Sequence, residues 1–167
     1  MLTGRKGLAM TSATPGKTML INHFLINNSW YLVDLPGYGY ARRGQKGQEQ
    51  IRTIMKITSS NDEQMTNLFV LIDSRLEPQK IDLEFMEWLG ENGNSFAIIF
   101  TKADKLKGGR LKIKYQRLLE RITETMGRTP SLFHHFIRRA LGRTEVLNYI
   151  ESINKELKFK IKTRNIK

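Results

Sequence analysis

The chain has 167 residues, a formal net charge of +12 at pH 7 and no cysteine. Its length suits one α/β domain with a real core, the missing thiol excludes disulfide and thiolate-metal stabilisation, and no apolar run approaches the roughly 18 residues that a membrane-spanning helix needs. No signal-peptide pattern opens the sequence, so a cytoplasmic protein without a membrane partner is expected.

The first expected element is a strand over residues 19–26, followed by a second over 30–33. Asn27, Asn28 and Ser29 between them tolerate the positive φ of a tight hairpin, so this pair should be antiparallel. A helix is expected at about 45–60, then a strand at 68–73 rich in branched and aromatic residues. In the next helix, 79–92, Ile81, Phe85, Trp88 and Leu89 recur at helical spacing and read as a core-facing stripe, bracketed by Pro78 and Gly93. The apolar strand 96–100 and helices at about 110–126 and 143–157 complete the pattern. Strands alternating with helices predict a mostly parallel sheet with helices on its faces, plus the one antiparallel hairpin.

Two short strings follow strand patterns and carry chemistry. Asp34, Leu35, Pro36 and Gly37 place a carboxylate at a strand end, where it can reach magnesium through water, and then a glycine N–H able to approach a phosphate. The same string is also a common turn. In Thr101, Lys102, Ala103 and Asp104 the carboxylate can accept two protons from the edge of guanine, a pairing adenine does not offer, while the lysine stem lies over the base. An exposed loop at a strand end is the plain alternative. Both together, in this order, point to a GTP-binding protein. Thr14, Pro15, Gly16, Lys17 and Thr18 end like a phosphate-cradling P-loop, but a true one needs a glycine where Thr11 stands, a buried strand before it and a helix after it. The segment reads instead as a switch loop, in which a threonine hydroxyl joins a magnesium shell while a γ-phosphate is present.

Residues 11–18, 34–41 (Asp-Leu-Pro-Gly-Tyr-Gly-Tyr-Ala), 71–75 (Leu-Ile-Asp-Ser-Arg) and 101–105 resemble the EngB-type bacterial GTPases, also called the YihA/YsxC family. The resemblance runs from the first residues to about Ile113 and resumes over 140–157. It implies a Ras-like P-loop GTPase domain over residues 1–157, followed by a basic tail over 158–167. It also implies GTP/GDP and Mg²⁺ as ligands, a monomer, and the large ribosomal subunit precursor, rRNA and protein, as partner; the family is linked to division septation as well. By the motif match Gly16, Lys17, Thr18, Met19, Leu20, Asp34, Leu35, Pro36 and Gly37 line phosphates, Thr101, Lys102, Ala103 and Asp104 read guanine, and Thr18 and Asp34 serve the metal.

The family pattern is departed from in three places. Family members carry a first strand and a Gly-Arg-Ser-Asn-Val-Gly-Lys-Ser-Ser loop before the residues that match Met1, so the domain is expected to lack its first strand and P-loop, with Met1 an internal methionine, and to bind GTP weakly or not at all. Between about Lys114 and Arg139 the resemblance vanishes. One choice of codons able to encode residues 134–138, shifted by one base, spells Ile-Thr-Ser-Ser-Glu, and Ser-Ser-Glu is the family's second guanine-contacting motif; this stretch, and a shorter one at 56–62, read as compensated frameshifts, with a natural insertion as the alternative. Finally, Tyr38 stands where Ras-like enzymes carry a water-orienting glutamine, as it does throughout the family, so no catalytic residue is named and slow, partner-dependent hydrolysis is expected.

The charge stays ambiguous. Lys155, Lys158, Lys160, Lys162, Arg164 and Lys167 stand against Glu156 alone, which suits either a polyanion contact or a solvated end. Two rival readings therefore remain open: a non-enzymatic basic RNA-binding module, and a truncated or frame-disrupted product that binds no nucleotide.

Overall fold

The computed structural model describes residues 2, 21–35, 49, 52–53, 65–106, 113, 116–118, 120–122, 124, 134–136 and 142–164. The chain divides into two compact units, Met1–Gln64 and Met65–Lys167.

In the first unit, β1 (Asn22–Ile26) and β2 (Trp30–Asp34) form an antiparallel hairpin in which Asn22 faces Asp34 and Ile26 faces Trp30. Its turn is built as the sequence requires: Asn27 and Asn28 sit at φ 50° and 49°, the paired left-handed conformation of a hairpin turn that follows the right-handed twist of its strands. The Ser29 N–H closes the turn onto the Ile26 carbonyl at 3.0 Å. The first strand begins at Asn22 rather than 19, with residue 21 irregular and 19–20 outside the described residues. The helix expected at 45–60 is described only at residues 49, 52 and 53, all helical.

Among the described residues, the buried apolar ones all lie in the second unit. Strand β3 (Leu68–Asp73) pairs in parallel with β4 (Phe96–Thr101), in register from Leu68 opposite Phe96 to Asp73 opposite Thr101. All five residues from Phe96 to Phe100 are buried, the unbroken apolar run of a parallel strand covered on both faces. β3 instead alternates, with Val70 and Ile72 buried and Leu71 59% exposed between them. A short strand absent from the sequence expectations, β5 (His134–Phe136), adds in parallel to the other edge of β4. Three residues are too few to display a period, and the strand exists because β4 offers it a free edge.

Helix α1 (Lys80–Glu91) crosses between β3 and β4. Asp82 accepts the Gln79 N–H at 3.2 Å across its first turn. At the other end the Asn94 N–H reaches the Leu89 carbonyl at 2.9 Å and the Gly93 N–H reaches Gly90 at 3.1 Å, with Gly93 at φ 69°: a glycine-closed helix end. Phe85, Met86 and Leu89 are buried, whereas Ile81 and Trp88 of the expected stripe are half-buried, and Trp88 stacks on Phe85 with ring centroids 6.2 Å apart. Between β4 and β5 the described residues 113, 116–118, 120–122 and 124 are helical, with Leu118 and Ile122 buried one turn apart. Helix α2 (Arg143–Arg164) buries Val146 and Ile150 and continues past residue 157, where it was expected to end. Lysine is a good helix former, so the charged residues prolong the helix although they add little apolar stripe. Tyr149 of α2 donates to Asn67 Oδ1 at 3.1 Å and meets Phe69 edge-on, fixing the helix beside the start of β3.

Candidate functional site

Ligand sites in open parallel sheets form beyond the carboxyl ends of the strands, and here that edge is made by Asp73 and Thr101, side by side in the β3–β4 register. Their junction is stitched twice. The Ser74 N–H donates to the Thr101 carbonyl at 3.0 Å, and Thr101 Oγ1 donates to the Ile72 carbonyl at 3.2 Å. Threonine thus serves here as a strand residue whose hydroxyl ties the loop to its neighbour.

Directly after it Lys102 turns the chain with φ 57° and ψ 25°. This left-handed conformation is uncommon for a residue with a Cβ. It launches the 3₁₀ turn Ala103–Lys105, closed by the Lys105 N–H on the Lys102 carbonyl at 3.0 Å and the Leu106 N–H on Ala103 at 3.1 Å. Ala103 is 2% exposed, so the small side chain plugs the loop into the core while its neighbours stay outside. Asp104 is exposed on this turn with Lys105 Nζ at 3.8 Å. All four residues of the expected base-reading string are therefore gathered in one tight loop, with a carboxylate and a lysine stem open to solvent.

Beside that loop lies a group the motif reading left without a role. The Asp73 carboxylate accepts Arg75 Nη2 at 2.7 Å and Arg75 Nε at 3.0 Å, the Arg75 backbone N–H at 3.0 Å, and Lys102 Nζ at 2.9 Å from the loop after the neighbouring strand. The Arg75 guanidinium above all, assisted by Lys102 and opposed by partial burial, holds the Asp73 carboxyl well below the usual carboxylate range, and Asp73 in turn raises Arg75. An aspartate ending a strand two residues before an arginine is a local signal. That the aspartate also meets Lys102 follows only from strand register.

The other expected residues fall elsewhere. Asp34 ends β2 as an exposed carboxylate, followed by half-buried Leu35. Gly16, Lys17, Thr18, Met19, Leu20, Pro36, Gly37 and Tyr38 lie outside the described residues, as do all of 56–62 and most of 114–139, the stretches read as altered in frame. Among the described residues no group of three or more histidines or carboxylates gathers as a metal centre. Magnesium is commonly held by only one or two carboxylates, with water and substrate phosphates completing its shell, so a single exposed Asp34 suits it as a donor. Also among the described residues, no helix is long and apolar enough to cross a membrane.

Comparison with known proteins agrees with the motif pattern. Residues 1–102 match the model of a family described as "50S ribosome-binding GTPase". Over 96% of its length the chain is 78% identical to a Bacteroides fragilis protein named "Probable GTP-binding protein EngB", covering 80% of that relative. Proteins of the same name from Bacteroides thetaiotaomicron and Porphyromonas gingivalis are 71% and 57% identical, each over 94% of this chain and 78% of the relative.

Proposed function

Since the chain belongs to the EngB family of GTPases, we propose that it binds guanine nucleotides through Thr101, Lys102, Ala103 and Asp104 and acts as a GTP-governed factor in assembly of the large ribosomal subunit. The observation that carries the nucleotide reading is the loop itself. A buried parallel strand delivers a left-handed Lys102 and then an exposed Asp104 on a 3₁₀ turn, at the sheet edge where nucleotides are bound. Asp104 accepts the two donors of the guanine edge, Lys102 covers the ring with its methylenes, and the buried Ala103 keeps the two in fixed relation.

At the phosphate end the family motif assigns Gly16, Lys17, Thr18, Met19 and Leu20 together with Asp34, Leu35, Pro36 and Gly37. Thr18 and Asp34 would hold Mg²⁺, which supplies charge neutralisation between the phosphates when bound. Residues of the Thr18 and Gly37 loops would then be ordered by the γ-phosphate and released after hydrolysis. Tyr38 follows Gly37, and a phenol lacks the paired donor and acceptor of a carboxamide, so hydrolysis is slow until a partner completes the site. The partner fitting the family description is the ribosomal particle, met by a monomer in the cytoplasm. A net charge of +12 favours approach to its rRNA.

The test is Asp104→Asn. An amide cannot accept both guanine protons but can pair with the altered edge of xanthine, so the ratio of xanthosine to guanosine nucleotide affinity should rise by on the order of 10⁴. An unchanged ratio would reduce residues 101–104 to a strand-end loop and remove the proposal.

A further inference from the structure

The Leu-Ile-Asp-Ser-Arg segment at residues 71–75 has no part in the function proposed above, yet it contains Asp73, a carboxylate that accepts bonds from both Arg75 and Lys102. We propose that Asp73, held by Arg75, is a positioning residue that anchors the Lys102 ammonium and so lays the lysine stem across the loop mouth as a preformed platform for a guanine base. The inference rests on the reading of residues 101–104 as the guanine site.

A lysine side chain that covers a planar base must surrender the freedom of four rotatable bonds, a loss that weakens binding unless it is taken beforehand. Lys102 is fixed at both ends. Its backbone is set by φ 57° at the start of the 3₁₀ turn, and its Nζ lies 2.9 Å from Asp73 Oδ2 on the adjacent strand. The side chain nevertheless remains 54% exposed, so the stem spans from β4 to β3 with an open flank. Asp73 is itself immobilised: Arg75 grips both carboxylate oxygens, its backbone N–H grips Oδ1, and only 19% of the Asp73 side chain meets solvent. Its position at the strand end is guaranteed by the pairing of Asp73 with Thr101, the residue immediately before Lys102. The charges facing this carboxylate are thus Arg75 from its own strand end and Lys102 from the next.

A double-mutant cycle on the full chain tests this, with GDP affinity read from changes in backbone amide shifts. Asp73→Asn should weaken GDP by about fivefold, the scale of a partly exposed ion pair. In a Lys102→Met background, where the methylenes remain but the ammonium is gone, the same substitution should change nothing. Arg75→Gln, which spares the Asp73 charge and only loosens it, should give a smaller loss that also vanishes beside Lys102→Met, and it carries the test if Asp73→Asn does not fold. Equal losses in both backgrounds, or no loss in either, would overturn the anchoring role. An Asp104→Asn control separates the two levels: if it leaves guanine preference intact, or if the unaltered chain shows no saturable GDP binding, the guanine reading fails and the inference falls with it.

Discussion

Ile98 and Leu71 are apolar residues on paired strands with opposite surroundings, and replacing each by alanine should separate them clearly. Ile98 is 1% exposed in the middle of β4, whereas Leu71 is 59% exposed on β3. Ile98→Ala deletes about three methylene equivalents at roughly 0.8 kcal/mol each, about 2.4 kcal/mol of transfer free energy. Incomplete collapse of the cavity brings the expected cost to about 3–4 kcal/mol. Leu71→Ala leaves no cavity and removes surface that water already wets, so about 0.5 kcal/mol is expected. Urea unfolding followed by Trp88 fluorescence in a Trp30→Phe background reads the second unit alone, because Trp88 stacks on the buried Phe85. The midpoint should fall steeply for Ile98→Ala and hardly move for Leu71→Ala, with the same slope in both. Equal shifts would refute β4 as the covered central strand, and with it the rigid support claimed for Thr101–Asp104.

Three further outcomes follow from local geometry. Gly93→Ala should cost about 1 kcal/mol in thermal unfolding, since an added Cβ meets nothing within 4 Å and only the positive φ of 69° is penalised. Asn28→Val should weaken the hairpin by about 1–2 kcal/mol while Asn28→Gly does not, as read by hydrogen exchange of the β1 amides, because only valine resists the left-handed turn. The Asp73 carboxyl is depressed from its ordinary 3.8 by Arg75 first and by Lys102. The unfolded chain therefore takes up its proton before the folded one does, and the contribution of this carboxylate is complete above about pH 4 and lost on further acidification. Because Arg75 and Lys102 are half exposed, solvent screening limits the effect to about 1 kcal/mol, visible as a flatter acid limb of stability in Asp73→Asn.

What could be read from the sequence was whatever is written in contiguous residues. Strand β3 agrees with its expected bounds and β4 runs one residue further, because unbroken apolar runs bounded by polar residues leave little choice. The hairpin followed from the paired asparagines, and the α1 ends from Pro78 and Gly93. Membership of the EngB family was likewise legible, since its motifs are local strings. Elements created by partners were not. β5 depends on the edge of β4, Met86 is buried although it lies outside the expected stripe, and α2 runs to Arg164 because lysines prolong a helix without marking a buried face. The same holds at the site. Lys102 and Asp104 stand out as a motif, but the ion pair between Lys102 and Asp73 joins residues brought together only by parallel pairing.

Whether residues 101–104 read guanine is tested by an amide chemical-shift titration of the isotopically labelled chain with GDP and, separately, with ADP. Millimolar ligand makes even weak binding visible. Saturable shifts centred on Thr101–Leu106 with GDP and none there with ADP are predicted, and matching responses to both nucleotides, or shifts confined to other residues, would contradict the guanine reading.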